Sequence, residues 1–168
     1  ALSVKKIISK YNLELFEIEK LSTHGGSLRY YIKRTENKKI HIKDSVSKQI
    51  NNEIKFGLNK YSTYKKFGEN VKKSKKNLIN IFKDIKNKKH KIIGYGATAK
   101  ATTVLNYCKI NEKIIDYFVD TTPDKINRFM PGTKIKIKKY NQKLLDNVNY
   151  IYLGAWNFKD EIFKKEKK

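Results

Sequence analysis

The sequence predicts an α/β fold, a Rossmann-like parallel sheet with helical crossovers, preceded by a long helical segment and, before that, an N-terminal helix plus β-hairpin. Three observations carry this reading. From Lys91 onward, short apolar runs alternate with helical patterns, which is the rhythm of parallel strands joined by crossovers. The first of those runs enters Gly94-Tyr95-Gly96-Ala97-Thr98-Ala99, a glycine turn that opens a helix. Between Ser45 and Lys89 there is no proline, and Gly57 and Gly68 are the only glycines.

In chain order, Leu2, Ile7 and Ile8 sit at helical spacing in a helix over Ser3 to Tyr11. Leu13 to Ile18 and Ser27 to Arg34 read as strands, with Gly25-Gly26 supplying a sharp turn between them. A helix follows, capped at Asp44 or Ser45 and running to Phe56, with Val46, Ile50 and Ile54 four apart. A second begins near Asn59 with Tyr64, Phe67, Val71, Leu78, Ile81 and Ile85 on its apolar face. That face is expected to lie across a core or bridge two domains, with a coiled-coil seam as the alternative. The α/β part then predicts strands at Lys91 to Ala97, Lys113 to Asp120, Lys134 to Ile137 and Val148 to Ala155. Helices are expected at Thr98 to Cys108, Gln142 to Asp146 and from Phe158 onward, with Lys164 to Lys168 frayed.

With 168 residues the chain suits one compact domain with appendages, divided here as 1–43, 44–89 and 90–168. Its formal charge of +23 would attract any polyanion. Nearly all of that charge is lysine, with only Arg29, Arg34 and Arg128 to provide planar forks, so solvated lysines of a biased composition are the expected reading and a nucleic-acid partner is not. A single cysteine, Cys108, excludes an intramolecular disulfide or a cysteine zinc cluster and fits a reducing, cytoplasmic setting. His24, His41 and His90 have no partner pattern for a metal, and His24 reads as a turn histidine. No apolar run approaches the ~18 residues needed to span a bilayer, and the start lacks a signal peptide. The missing initiator Met suggests a fragment.

The glycine loop is a candidate anion site, because its backbone can approach a phosphate at the positive end of a helix. Asp120 ends the next strand about 24 residues further on, where a dinucleotide enzyme places its ribose-binding carboxylate. Spacing alone therefore allows an NAD-dependent oxidoreductase. Lys100, a cation in the first helical turn, argues for an anion nearby.

Three runs, joined by a fourth in the hairpin, sharpen the reading. Gly94-Tyr95-Gly96-Ala97-Thr98-Ala99-Lys100 is followed by Leu105-Asn106-Tyr107-Cys108. Asp120-Thr121-Thr122-Pro123-Asp124-Lys125 leads through Arg128-Phe129-Met130 to Pro131-Gly132-Thr133. Ala155-Trp156-Asn157-Phe158-Lys159-Asp160-Glu161-Ile162 begins the C-terminal helix, and Thr23-His24-Gly25-Gly26-Ser27-Leu28-Arg29 lies in the hairpin. Together, in this order, they resemble the C-terminal domain of SAM-dependent sugar C-methyltransferases, which methylate a ring carbon of a nucleotide-activated deoxysugar. This chain departs from the family's usual pattern at Ala101-Thr102 and Ile126-Asn127.

The resemblance implies that 1–43 is the tail of a SAM-type methyltransferase domain, 44–89 a helical bridge and 90–168 a nucleotide-sugar-binding domain. It implies a zinc-binding cysteine cluster, a SAM loop and a catalytic base upstream of residue 1, so SAM serves the intact enzyme and no cofactor is expected on this chain. By the same resemblance Gly94, Gly96, Ala97, Thr98, Ala99 and Lys100 would hold phosphate. Lys125 and Arg128 would follow as phosphate or ribose contacts, and Asp120 would bind a ribose hydroxyl or else cap its own loop. Trp156 and Asn157 would contact the base, although packing of Trp156 under the terminal helix is the preferred alternative. The rival functions are the NAD-dependent oxidoreductase and a basic, non-catalytic nucleotide- or nucleic-acid-binding module.

Overall fold

The computed structural model describes residues 1–167, without the side chain of His24. The expectation for His24 therefore lies outside the described residues, as does that for Lys168. Contacts divide the chain into two compact units, Ala1–Asn70 and Val71 onward.

The first unit opens with α1 (Leu2–Ile8), a 3-10 turn at Ser9–Tyr11, and Asn12 in the left-handed region at φ 55°. The hairpin pairs β1 (Leu13–Leu21) with β2 (Ser27–Arg34) antiparallel, from Leu13 opposite Arg34 to Leu21 opposite Ser27. An irregularity between Leu15 and Glu17 lets both Leu15 and Ile18 face the core, which strict alternation would forbid. They meet Val46 and Ile50 of α2 (Asp44–Phe56), together with Val4, Ile8, Leu28 and Tyr30. The cap of α2 differs from expectation. Lys43 is the capping residue and its side chain does not cap the helix, pairing instead with Glu17 at 2.7 Å; Asp44 is already helical, and the Ser45 hydroxyl accepts the Ile18 N–H at 3.0 Å. Ser45 thus ties the helix to the hairpin instead of starting it. Ser45→Ala should cost about 1 kcal/mol in denaturant unfolding, because the Ile18 amide loses its partner; an unchanged midpoint would show that water replaces the hydroxyl. Gly57, at φ 87°, ends the helix by sending its N–H back to the last turn.

The division between units falls within α3 (Tyr61–Asn87). In the second unit its Leu78, Ile79, Phe82 and Ile85 pack against the sheet's core. This corrects the expected face: Tyr64, Phe67 and Ile81 are exposed, and Phe82, absent from the predicted stripe, is 4% exposed.

Four parallel strands follow, β3 (Ile92–Tyr95), β4 (Tyr117–Asp120), β5 (Lys136–Lys139) and β6 (Tyr150–Leu153), ordered β5-β4-β3-β6. β3, β4 and β6 are shorter than predicted, because flanking apolar residues serve turns: Ile114 and Ile115 donate their N–H groups to the Asn111 carbonyl before β4 begins, while β5 keeps its predicted length but lies two residues later. One crossover is a full helix, α4 (Ala99–Cys108). The other two use 3-10 turns at Pro123–Lys125 and Gln142–Leu144, the latter where a short helix was predicted. The chain closes with a 3-10 turn at Trp156–Phe158 and α5 (Lys159–Glu166). Phe118 is fully buried and its ring lies over Gly94, where an added Cβ would come within 2.3 Å of it.

Candidate functional site

β3 leads to β4 and β5 on one side, and the chain then returns to place β6 on the other. The strand order reverses between β3 and β6, and open α/β sheets bind ligands beyond the carboxyl ends of their strands at such a point. A cavity of about 340 Å³ lies there, within the usual small-molecule range of roughly 300–1,000 Å³. Tyr95, Gly96 and Thr98 enter it from the end of β3, Asp120, Thr121, Thr122 and Lys125 from the end of β4, and Tyr140 from the end of β5. Ala155 follows β6, while Phe158, Glu161, Ile162 and Lys165 come from the C-terminal turn and α5.

The glycine loop is closed on itself. Gly96, at φ 82°, donates its N–H to the Val119 carbonyl at 2.8 Å, and its α-carbon sits so near Ala155 that a Cβ would fall 2.5 Å from the alanine methyl. The Ala97 N–H donates to Asp120 Oδ2 at 2.7 Å, and the Thr98 N–H donates to the Gly96 carbonyl. The Thr98 hydroxyl caps α4 by accepting from the Ala101 N–H and donates to the Gly154 carbonyl at 2.8 Å. Gly94 lies within β3 beneath the Phe118 ring.

Asp120 is 8% exposed. Its Oδ1 accepts from the Thr122 N–H at 2.8 Å, and Lys125 Nζ stands 3.4 Å from Oδ2. Burial pushes its pKa up, but the Thr122 N–H and hydroxyl, the Ala97 N–H and Lys125 together hold it below the ordinary value. The carboxylate therefore fastens two loops to each other, the second of the roles its position allowed.

The far wall is aromatic and ionic. Tyr95 and Tyr140 meet edge to face at 5.6 Å, and both hydroxyls lie 2.8 Å from Glu166 Oε1 on α5. Lys165 Nζ sits 3.5 Å above the Tyr140 ring. Burial, and then the bond to Glu166, raise the Tyr95 pKa far above its ordinary value, so the phenol stays protonated and donates.

Of the residues proposed from sequence, Gly96, Thr98, Asp120 and Lys125 share this cavity; Gly94, Ala97, Ala99, Lys100, Arg128, Trp156 and Asn157 lie outside its wall. Trp156 is 54% exposed instead of packed under α5, and Lys100 Nζ stands 4.7 Å from its ring centre. Arg128 is exposed, and its backbone pairs with Ile137 of β5. Sequence reasoning missed Tyr95, Thr121, Thr122, Tyr140, Glu161 and Lys165. The rule that places ligands past carboxyl strand ends pointed to the first four, whereas nothing local announced that α5 folds back onto the cavity. Among the described residues no group of three His, Cys, Asp or Glu side chains could hold a metal, and no helix is long and apolar enough to cross a membrane.

The chain is 23% identical over 165 residues to the C-methyltransferase NovU of Streptomyces niveus, an alignment that covers 98% of this chain and 39% of that protein. The chain thus spans well under half the length of the curated relative it matches. The sequence model of the C-methyltransferase C-terminal domain matches residues 22–168, taking in the second strand of the hairpin, both long helices, the sheet and every wall of the cavity. The chain belongs to the C-methyltransferase C-terminal domain family.

Proposed function

We propose that this chain is the substrate-holding, carboxy-terminal part of a cytoplasmic SAM-dependent C-methyltransferase whose substrate is a nucleotide-activated ketodeoxysugar. The observation that carries the reading is the cavity at the strand-order reversal, whose wall combines Lys125 and Lys165 with Tyr95 and Tyr140, Lys165 Nζ standing 3.5 Å from the Tyr140 ring centre. Ammonium groups suit a diphosphate, and aromatic edges and faces suit a base or a sugar. The contact set differs from the one expected of the loop alone. With the N–H groups of Gly96, Ala97 and Thr98 bonded internally, the phosphates are held by side chains, chiefly the two lysines.

The residues do not fit SAM or NAD. Asp120 would have to bind the ribose hydroxyls of either, and although it reaches the cavity wall its oxygens are oriented by the Ala97 and Thr122 N–H groups and by Lys125, with only 8% of the residue exposed to meet a vicinal diol. The methyl donor, the zinc-binding segment and the base that forms the sugar enolate are accordingly assigned to the rest of the intact enzyme, and no catalytic residue is assigned to this chain. The same geometry speaks against the dehydrogenase alternative.

A thermal-shift panel tests this, with dTDP-, UDP-, GDP- and CDP-sugars, NADH, SAM and an oligonucleotide at low and moderate salt. One nucleotide-sugar at a hundredfold its Kd should stabilise the protein by ~2.7 kcal/mol, a shift of several degrees that survives added salt. SAM and NADH should give none, and the oligonucleotide at most a salt-sensitive one. Lys125→Ala should weaken the responding nucleotide-sugar about tenfold, as expected for a partly exposed charge-assisted contact. No response to any nucleotide-sugar, or a response to NADH alone, would refute the proposal.

A further inference from the structure

The two edges of the parallel sheet are treated differently. Beyond β5 the chain covers its own edge: Ile137 donates its N–H to the Arg128 carbonyl at 2.7 Å, Asn127 donates to the Ile137 carbonyl, and Met130 to the Ile135 carbonyl. That edge also carries Lys136, Lys138 and Lys139, a charge pattern that discourages pairing with another strand.

The β6 edge has neither protection. Its inward bonds run from Tyr150 N–H to Lys91 and from Gly154 N–H to Tyr95, with Tyr152 opposite Gly94 between them. Alternation along the ladder then turns the N–H and C=O groups of Ile151 and Leu153 outward, and among the described residues nothing bonds them. The side chains agree, since Tyr150 is 42% and Ile151 45% exposed. The twelve residues from Asn147 to Phe158 include no charged side chain, in a chain of net charge +23.

We infer that the β6 edge is a self-association surface, on which a second copy of this chain pairs antiparallel about a two-fold axis beside Tyr152. Charge selects the occupant. An acidic partner gains nothing from an uncharged strip when lysines surround it elsewhere, whereas two strongly cationic copies can approach closely only where neither carries charge. The hydrogen-bond pattern is self-complementary. With Ile151 opposite the partner's Leu153 and Leu153 opposite the partner's Ile151, each pair exchanges both of its outward bonds. The contact uses one patch on both copies, so it closes at the dimer.

Sedimentation velocity on the full 168-residue chain over roughly 5–200 µM tests this, at about 50 and 500 mM salt so that repulsion between copies is first present and then screened. A monomer–dimer equilibrium that tightens at higher salt is the expected result. Ile151→Lys, at an already exposed position, should weaken it at least tenfold without lowering the melting temperature. In the unmodified chain, amide exchange at Ile151 and Leu153 should slow as concentration rises, a readout independent of any variant's folding. A monomer throughout that range, species growing past the dimer, or unchanged exchange at those two amides would overturn the proposal.

Discussion

Phe118→Ala should remove about 4 kcal/mol of stability, within the roughly 3–5 kcal/mol that truncating a core phenylalanine costs. Where the loss falls in that range depends on whether neighbours can move into the space. Phe118 is 0% exposed and its ring meets that of Tyr152 edge to face at 6.2 Å. Two other neighbours are Gly94 and Gly154, whose hypothetical Cβ atoms would lie 2.3 and 3.1 Å from the ring. Neither glycine has a side chain to swing inward, so the hole stays close to its full size. For a domain stable by roughly 5–15 kcal/mol, a loss of that order produces an appreciable unfolded population at the low end of the range and a clearly lower unfolding midpoint throughout it. The converse change, Gly94→Ala, drives a methyl into the ring and should cost about 1–3 kcal/mol. Combining Gly94→Ala with Phe118→Leu should cost less than the sum of the two, because the smaller side chain makes room for the methyl. Urea unfolding followed by circular dichroism measures all three. A loss below about 1 kcal/mol for Phe118→Ala would show that the sheet collapses around the site, contrary to the geometry.

Asp120→Asn should cost about 2–3 kcal/mol despite the near-identical shape of the two side chains. Both carboxylate oxygens accept from backbone N–H groups, Oδ2 from Ala97 and Oδ1 from Thr122. An amide can offer only one acceptor, so its NH₂ must face one of those donors inside a buried site. The pH dependence has a definite sign. The folded-state pKa lies below the ordinary aspartate value of 3.8, so the contribution is fully present above that value and is lost as pH falls through the lower, folded-state pKa. Wild-type stability measured from neutral to strongly acidic pH should drop through that window, while the Asn variant, already weakened, should lack this part of the drop. Superimposable profiles would mean that Asp120 is protonated or unengaged in the folded protein.

The sequence made the architecture legible where one pattern had one meaning. β2 runs over the predicted Ser27–Arg34 because its β-forming run ends in turn residues on both sides. β1 continues to Leu21, past the predicted Ile18, because Glu19 and Lys20 are held by their cross-strand partners: the Glu19 carboxylate accepts from Arg29 and from the Tyr31 hydroxyl. The face of α3 was misjudged because counting apolar residues cannot say where the core lies. Tyr64, Phe67 and Ile81 keep the helical spacing yet face solvent, while Ile79 and Phe82 touch the sheet. Asp120 illustrates the corresponding ambiguity at the site, since one strand-end carboxylate can meet a ribose or the loops beside it, and spacing does not distinguish the two. Lys165 and Glu166 were invisible for a different reason, because their positions depend on how α5 returns to strand ends that precede it by dozens of residues.

The inward-turned donors of the glycine loop have a consequence for how such a domain can diversify. The N–H groups of Gly96, Ala97 and Thr98 maintain the scaffold, while the cavity's chemistry is carried by side chains such as Thr121, Lys125, Tyr140 and Lys165, each on a different turn or helix. Scaffold and selectivity therefore occupy largely separate positions, with Lys125 common to both because it also faces the Asp120 carboxylate. A lineage can exchange one pocket residue after another, and so drift toward a new ligand, while the turn that builds the pocket remains the same.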